Sequence, residues 1–356
     1  MQKKTTKGLN ESNHLVRGGF LVAGVTCVVM VLLVVTMNFT FLRNPLIAKD
    51  WYLRIFLMAL VIFFTALICR LFICYLANTL NSAYLKRFTE IKILGTFAQT
   101  LPKLYNPQPK LKHAVLLLHG FTGSPEQFNH LATQFQVEKI PFYAPNILGF
   151  GLNTTQLLQT VRYEDWLREA LEHYDALHLL AEEISVIGHS MGGLLATFIA
   201  QHRPVKNLIL SSPAYYAIDG DMKYKKILFT PVLGKIYSWV VPFLPKSLHD
   251  DRQTTYDTLD TSIAINVFQY LAVPVECIIE FFKLQEHVDI KQAHFGSLII
   301  LYGKHDVTIN NAKTFAYLAQ HQIKHQDFGF ENSAHNIFED YDRDQICKTV
   351  INILQN

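Results

Sequence analysis

The stretch Ile184-Ser185-Val186-Ile187-Gly188-His189-Ser190-Met191-Gly192-Gly193 runs from an apolar, strand-like segment through a glycine-flanked serine into a helical sequence. Its central five residues match Gly-x-Ser-x-Gly, which marks a sharp strand-to-helix turn when it lies between those two elements. A serine on such a turn has a strained backbone, and a side chain two positions away would collide with the turn, so both positions are glycine. The N-terminus of the helix also supplies unpaired N–H groups where negative charge can develop. The stretch therefore predicts an α/β fold with Ser190 as a nucleophile.

A second glycine-containing motif, His119-Gly120-Phe121-Thr122-Gly123-Ser124-Pro125, directly follows the predicted strand 113–118. A loop at this strand end can aim the Phe121 backbone N–H at the point that the Met191 N–H faces, and the two groups would form an oxyanion hole. An ordinary glycine-rich turn is the alternative, and the agreement of two motifs favours the oxyanion hole. His119 is expected to be a structural hydrogen-bonding residue, because the histidine of this arrangement follows the acid in the chain.

The candidate acid is Asp306, which ends the stretch Gly303-Lys304-His305-Asp306 just beyond the apolar run 297–302. A carboxylate at the C-terminal end of a buried strand faces the edge where α/β sheets bind ligands. The alternative is that Asp306 only caps the helix that begins near Asn310.

The candidate base is His335, in a loop of small residues that follows Asp306 by 29 positions. That separation is long enough for a helix and a strand to return the loop to the same edge of the sheet. The chain order is then Ser, Asp, His, which is the order used by one large class of α/β enzymes. Four rival acid and base residues do not follow a predicted strand in this way: His325, Asp327, Glu339 and Asp340.

From residue 111 onward, strand-like runs alternate with helical patterns, as in a mostly parallel sheet covered by helices. The clearest strands are nearly continuous Val, Ile and Leu, which is typical of strands buried on both faces. They cover residues 113–118, 184–187, 208–210 and 297–302, and the helical patterns cover 125–135, 163–180 and 191–202. Residues 214–292 interrupt the alternation with prolines and apolar helical pieces, and they predict a helical lid inserted above the sheet.

The N-terminal part of the chain predicts one or two transmembrane helices. Residues 18–42 are 25 consecutive uncharged residues, and about 20 suffice to cross a bilayer core. Basic residues precede them, as in a signal peptide, but the apolar run exceeds the usual length of about 7–15 and no small-residue cleavage site follows, which favours an uncleaved anchor. A second apolar segment, about 52–76, can also span, with Trp51 and Tyr52 as interfacial aromatics. An amphipathic helix lying on the membrane is the alternative for this second segment.

These patterns divide the 356 residues into a membrane anchor at 1–77, a linker at 78–110 that contains three prolines near its end, and an α/β domain at 111–354. Basic residues near the ends of the two apolar segments favour a hairpin with both ends in the cytoplasm. The catalytic domain is then expected to be cytoplasmic.

Composition excludes several classes of site. The net charge is +3, with no long basic run and no aromatic-interleaved basic patch, so the sequence gives no footprint for nucleic-acid binding. The five cysteines form no CxxC pair and no Cys/His cluster, which argues against a disulfide framework and a zinc site. No cofactor and no metal are expected.

Residues 111–354 resemble the α/β-hydrolase superfamily, and the motifs HGFTGSP and GHSMGG resemble its carboxylesterase and monoacylglycerol-lipase-like branch. The resemblance implies metal-independent hydrolysis of carboxylic esters by a Ser, Asp, His triad, and these roles fall on Ser190, Asp306 and His335. Two features depart from the family pattern: the N-terminal apolar segments, and residues 146–151, which follow the family's loop after the fourth strand only loosely.

The predicted lid favours a lipid-derived ester, such as a monoacylglycerol or a lysophospholipid. Residues 227–244 are apolar enough to accept an acyl chain or touch a bilayer, although the same residues could pack as core. A membrane-tethered enzyme also meets membrane substrates at high effective concentration. A thioesterase or a peptidase of the same superfamily would use the same triad, and a non-catalytic membrane scaffold is a further alternative that the presence of all three triad residues disfavours. The substrate-binding residues are unknown from sequence.

Overall fold

The structure is a computed structural model that describes Thr36 and residues 51–108, 110–217, 231–246, 254–264 and 266–355. The chain forms two units. The first, here called the helical unit, comprises Met1–Tyr84, Leu228–Lys246 and Leu271–Val275, and the second, the sheet unit, comprises the remainder. The first predicted span, 18–42, lies outside the described residues except for Thr36.

The sheet unit is built on seven strands that run mostly in parallel. In chain order they are β1 (Lys103–Tyr105), β2 (Leu111–Leu118), β3 (Phe142–Ala144), β4 (Ala181–His189), β5 (Val205–Ser211), β6 (Phe295–Gly303) and β7 (Gln326–Phe330). They lie in the order β7-β6-β5-β4-β2-β3-β1, and β1 alone runs antiparallel to its neighbour. The predicted α/β architecture with a mostly parallel sheet is therefore confirmed.

The strands predicted from Val, Ile and Leu runs all form, and each begins two or three residues before its predicted start. In β2, the five residues from Ala114 to Leu118 are completely buried, on alternating faces. Burial on both faces is what a parallel sheet with helices on each side requires.

Eight longer helices accompany the strands among the described residues. They are α1 (Trp51–Leu85), α2 (Asn129–Val137), α3 (Tyr163–His178), α4 (Met191–His202), α5 (Pro231–Val240), α6 (Val275–His287), α7 (Asn311–Gln320) and α8 (Arg343–Gln355). A short helix covers Thr261–Ala264, and 3-10 turns cover Ala98–Thr100, Pro125–Phe128, Leu157–Gln159, Ile290–Gln292 and Ile337–Glu339. Helices α2 and α8 share one apolar core with the sheet, through residues such as Phe135, Val350 and Leu117. Helices α3 and α4 pack against β4.

The sheet unit begins earlier in the chain than the sequence predicts. Residues 78–110 are predicted as a linker, but they contain the edge strand β1 and a short antiparallel pair, Glu90–Ile91 with Thr96–Phe97. The Phe97 ring is buried and lies 5.9 Å from the Phe88 ring and 5.6 Å from the Phe268 ring. Packing of these buried aromatic rings therefore makes the segment part of the sheet unit. Two of the prolines that suggested a linker, Pro102 and Pro107, lie on either side of strand β1.

In the helical unit, α1 is joined to α5 and to a two-stranded pair, Phe243–Pro245 with Ala272–Pro274. The buried Asn81 side chain accepts the N–H groups of Leu271 and Ala272 at 2.8 and 3.0 Å and donates to the Ala272 carbonyl at 2.9 Å. The Arg70 guanidinium donates to the Trp239 carbonyl at 2.6 Å, one residue before α5 ends. A cation at a helix C-terminus is stabilised by the carbonyl groups that end the helix.

Helix α1 has two dissimilar halves. Its C-terminal half buries a stripe spaced three or four residues apart: Cys69, Ile73, Ala77, Leu80 and Tyr84. Its N-terminal half exposes large apolar side chains from Tyr52 to Phe64. Among the described helices, Ile55–Leu85 alone is long and apolar enough to cross a membrane, and 11% of its most apolar window is buried. By length and composition, helix α1 is a candidate transmembrane span. It ends at Leu85, nine residues beyond the end of the second predicted span at 76.

Cys69, in this helix, is disulfide-bonded, whereas Cys74, Cys277 and Cys347 are free. The pairing of Cys69 is contrary to the expectation from the cysteine count. An odd total and apolar surroundings do not prevent a single pair from forming.

Candidate active site

Ser190 lies on the turn between β4 and α4. Its backbone has φ 54° and ψ −114°, a region that residues with a Cβ adopt only when their surroundings impose it. The imposing contacts come from the end of β5, because the Ser190 N–H donates to the Ser211 carbonyl at 2.9 Å. The Ser190 carbonyl accepts the N–H groups of Gly193 and Ala214 at 2.9 and 3.1 Å. The turn predicted from the glycine pattern is therefore present, and its serine is held by the two strands beneath it.

The two glycines flanking the serine are required by close backbone contacts. A Cβ at Gly188 would lie 2.2 Å from the Gly192 carbonyl oxygen, and a Cβ at Gly192 would lie 2.0 Å from the Leu118 carbonyl oxygen. Side chains cannot approach backbone oxygens this closely. The start of α4 is consequently packed directly on the end of β2.

The loop after β2 passes beside Ser190. A Cβ at Gly120 would lie 3.2 Å from the Ser190 Cβ, and the Gly123 N–H donates to the Gly120 carbonyl at 3.0 Å to close the turn. The two predicted oxyanion-hole donors are the Phe121 and Met191 backbone N–H groups, which flank this point. Neither donates a hydrogen bond to another residue in the part of the chain that the structure describes.

Asp306 and His335 are in contact, with 2.9 Å between Asp306 Oδ2 and His335 Nδ1. Their side chains are 1% and 7% exposed. Asp306 Oδ1 accepts the N–H groups of Thr308 and Ile309, each at 2.9 Å. Burial acts to raise the pKa of Asp306, but the charge and hydrogen bond of His335 and these backbone groups outweigh it and lower the pKa to about 2. The cap of α7 is instead Asn310, whose side chain accepts the Lys313 N–H.

The His335 loop is held against the end of β6. A Cβ at Gly303 would lie 2.1 Å from the Ala334 carbonyl oxygen, and the Ala334 N–H donates to Asp340 Oδ2 at 2.8 Å. The His335 ring centroid lies 4.8 Å from that of His189, the residue before Ser190. The structure thus brings the His335 loop, Asp306 and the serine turn to one edge of the sheet.

The rival residues have other contacts. Asp340 accepts the N–H groups of Leu259 and Asp260 at 2.9 and 3.0 Å, in addition to that of Ala334, so it anchors loops. His325 Nδ1 is paired with the Ile323 carbonyl at 3.0 Å, and Asp327 is exposed.

His119 is completely buried, and its ring bridges two loops. Nε2 accepts the Ile147 N–H at 2.9 Å, and Nδ1 lies 2.9 Å from the Gly120 carbonyl oxygen. Burial lowers the pKa of His119 to about 4. His119 is therefore a neutral histidine with both ring nitrogens hydrogen-bonded. This is the structural role expected of a histidine that precedes the candidate acid Asp306 in the chain.

A buried polar cluster below the site was not predicted from the sequence. It consists of Gln127, Tyr256, Asn336 and Glu339, and none is more than 9% exposed. Its members are up to 212 positions apart in the chain, from 127 to 339, so no local pattern joins them. The sequence signal for this cluster is the pair of polar residues Asn336 and Glu339, which flank two apolar residues in the turn after His335.

Glu339 makes stability depend on pH. Burial raises the pKa of Glu339 to about 8; the Tyr256 hydrogen bond and Arg343 oppose the shift and Glu126 adds to it. An acid with a raised folded-state pKa stabilises the fold most below its ordinary pKa of 4.5 and loses that contribution as pH rises towards 8. Glu339→Gln, which mimics the neutral acid, is therefore expected to reduce the fall in Tm between pH 5 and pH 8. The exposed Glu138→Gln serves as control, and a wild-type Tm that does not fall over this range would contradict the expectation.

Several known proteins are similar to this chain in sequence or in fold. A family model described as serine aminopeptidase, S33, matches residues 109–342. A thermostable monoacylglycerol lipase from Bacillus sp. (strain H-257) is 34% identical over 90 residues, which cover 25% of this chain and 36% of the lipase. A carboxylesterase from Bacillus subtilis (strain 168) is 23% identical over 247 residues, which cover 68% of this chain and 92% of the esterase.

Among solved structures, the monoacylglycerol lipase of Paleococcus ferrophilus superposes with a TM-score of 0.56 at 16% identity, covering 71% of this chain and 98% of that one. At this identity the likeness establishes the shared fold. The chain aligns with about a third of the length of the Bacillus sp. lipase.

Proposed function

Since the chain belongs to the serine aminopeptidase S33 family of α/β-hydrolases, we propose that it is a serine hydrolase that cleaves carboxylic esters. The observation that carries the proposal is the buried 2.9 Å contact between Asp306 and His335 at the same sheet edge as the strained Ser190 turn. A serine is a weak nucleophile until a neighbouring base takes its proton, and the base works only when a third group orients it.

In the proposed mechanism, His335 Nε2 takes the hydroxyl proton as Ser190 attacks the ester carbonyl. Asp306 keeps the His335 Nδ1 protonated and stabilises the positive charge that develops on the ring. The Phe121 and Met191 N–H groups donate to the tetrahedral oxyanion, and the positive end of α4 adds to their effect. His335 then protonates the leaving alcohol, and water activated by the same base releases the acid from the acyl-enzyme.

A fluorophosphonate probe and a matched substrate series test this proposal. The wild-type protein should be labelled at Ser190, as peptide mass spectrometry would show, and should turn over p-nitrophenyl esters. Thioesters and aminoacyl p-nitroanilides of the same acyl group separate the alternatives, because a peptidase would prefer the anilides. A protein that is neither labelled nor active on any of them would have to be a non-catalytic scaffold.

For the substrate we propose a lipid-derived ester, of the monoacylglycerol or lysophospholipid type, reached from a membrane surface. The support is the apolar exposure of the helical unit. The N-terminal half of α1 exposes large apolar side chains, and α5 exposes Val232, Leu233 and Ile236 at 67%, 58% and 55%. Neighbouring residues that expose this much apolar surface are typical of contact with a membrane or a partner. The relatives named as monoacylglycerol lipase and carboxylesterase support an ester substrate of this kind.

The apolar face of α5 is expected to act in membrane contact. The triple variant Val232→Ser, Leu233→Ser, Ile236→Ser should reduce turnover of monoacylglycerol in vesicles about 10-fold, which corresponds to about 1.4 kcal/mol of lost interfacial binding. Hydrolysis of a short p-nitrophenyl ester should be unchanged. The control variant removes apolar side chains of the sheet unit that are at least as exposed, at 97%, 60% and 87%: Ile93→Ser, Leu94→Ser and Leu179→Ser.

Equal losses in the two triple variants would show that α5 has no special contact with the bilayer. The anchor itself is tested by carbonate extraction of membranes that contain the full-length protein. Release into the wash would refute an integral anchor, whatever the outcome for α5.

A further inference from the structure

Gln127 is a buried glutamine whose side chain contacts the loop after β2. Its Oε1 accepts the Gly120 N–H at 2.9 Å. Its Nε2 donates to the Tyr256 hydroxyl at 3.1 Å and to Asn336 Oδ1 at 3.2 Å. Both donors of the amide and one acceptor position are therefore used, and the side chain is only 5% exposed. A Cβ at Gly123 would lie 2.7 Å from the Gln127 Oε1, so the loop closes tightly around this amide.

Asn336 extends the contact to the other two loops of the site. Its Oδ1 lies 3.2 Å from His189 Nε2, and its backbone and side-chain N–H groups both donate to the Asp257 carbonyl, at 2.9 and 3.0 Å. Asn336 follows His335 and His189 precedes Ser190. Through Asn336, Gln127 is thus connected to the loop of the candidate base and to the turn of the candidate nucleophile.

The partners of the Gln127 amide fix its orientation. The amide nitrogen faces Tyr256, whose hydroxyl accepts from it and is also hydrogen-bonded to Glu339 Oε2. The Gly120 N–H can only donate, so the group of Gln127 that faces it must be the carbonyl oxygen. A flipped amide would place its NH₂ group against the Gly120 N–H and lose this bond.

The bond to Gly120 bears on the adjacent peptide group. The Gly120 carbonyl and the Phe121 N–H belong to one planar peptide and point in opposite directions. The carbonyl is held on one side by the Gly123 N–H at 3.0 Å and by His119 Nδ1 at 2.9 Å. Glycine has no side chain to restrict its own backbone, so the orientation of this peptide depends on such external contacts. The bond from the Gly120 N–H to Gln127 is the contact on the other side of the Gly120 Cα.

We propose that Gln127 is a positioning residue for the oxyanion hole: by holding the Gly120 N–H it keeps the Phe121 N–H directed at the reacting carbonyl. This inference rests on the proposed ester hydrolysis. Gln127 acts through the Gly120–Phe121 peptide, and Tyr256 and Asn336 hold its amide nitrogen.

The test compares Gln127→Leu with the wild-type protein on a short p-nitrophenyl ester. Loss of a whole oxyanion donor lowers kcat about 10²- to 10³-fold, and a misdirected donor should lower it about 10- to 100-fold, with KM changed less than about twofold. Asn207→Leu is the matched control, because Asn207 is 8% exposed and its amide bonds the Ser185 and Ser297 side chains within the sheet, before the strand ends that carry the site. It should lower Tm and leave kcat unchanged.

Two further variants separate positioning from general destabilisation. Gln127→Glu keeps an acceptor for the Gly120 N–H and should recover most of the kcat lost in Gln127→Leu, even where its Tm is lower. Tyr256→Phe should lower kcat in the same direction, and adding it to Gln127→Leu should cause little further loss, because the two act through one chain of hydrogen bonds.

The outcomes distinguish this inference from the proposed function. Wild-type protein that hydrolyses no ester would remove the proposed function and the inference together. Active wild-type protein with an unchanged kcat in folded Gln127→Leu would overturn the inference alone, as would equal kcat losses in Gln127→Leu and Asn207→Leu.

Discussion

Replacing Ser190 by alanine is expected to lower kcat for ester hydrolysis about 10⁵- to 10⁶-fold, because nucleophile, base and acid act as one unit and removing one removes their joint effect. The change deletes one oxygen atom and leaves the turn intact, since its backbone contacts to Ser211, Gly193 and Ala214 do not involve the side chain. Circular dichroism and Tm should match the wild type. Turnover of a p-nitrophenyl ester, measured over hours with the variant at high concentration, gives the residual rate.

Ser212→Ala is the matched control for this experiment. Ser212 is a buried serine close to the same turn, and its Oγ makes no hydrogen bond to the described residues. Its removal should leave kcat within about twofold of wild type. Residual activity of Ser190→Ala near the wild-type level, or a larger loss in Ser212→Ala, would assign the nucleophile to another residue.

Asp306→Asn is expected to lower kcat about 10⁴-fold, as loss of tautomer control does in a comparable triad. The Thr308 and Ile309 N–H groups both donate to Oδ1, so the asparagine must keep its carbonyl oxygen there. Its NH₂ group then faces His335 Nδ1 and forces that nitrogen to accept. The proton moves to Nε2, which can no longer take the proton of Ser190.

The corresponding control is Asp327→Asn, which changes an exposed carboxylate on β7 and should leave kcat unchanged. Comparison of kcat and KM for both variants, with Tm to monitor folding, decides whether Asp306 is the acid that orients His335. If Asp327→Asn or Asp340→Asn abolished activity while Asp306→Asn did not, the acid would have to lie elsewhere.

The parts of the fold that local sequence determines were predictable. Short Val, Ile and Leu runs that alternate with helical patterns predicted buried strands, and the glycines around Ser190 are required by backbone contacts within a few residues of it or at a strand end. These features gave the parallel sheet and the serine turn, and the family resemblance agrees with the family model. The roles of Ser190, Asp306 and His335 remain predictions that the variants above test.

Features that depend on distant contacts were not predictable. Strand β1 lies in a segment whose prolines suggested a linker, and only its pairing with β3 reveals it. The Gln127 amide is hydrogen-bonded to Tyr256, 129 positions away. In α1, the buried stripe that begins at Cys69 is concealed in the sequence because the exposed half of the helix is just as apolar.

The placement of β5 beside β6 has a consequence for how such a protein can change over evolutionary time. The two strands are paired neighbours in the sheet, yet the chain between Ser211 and Phe295 contains all of α5 and α6. Lengthening a connection between fixed ends is inexpensive, at about 0.6 kcal/mol for each doubling of a flexible loop. Insertions, deletions and sequence drift can therefore accumulate in this one connection while strand order and the serine turn stay constant.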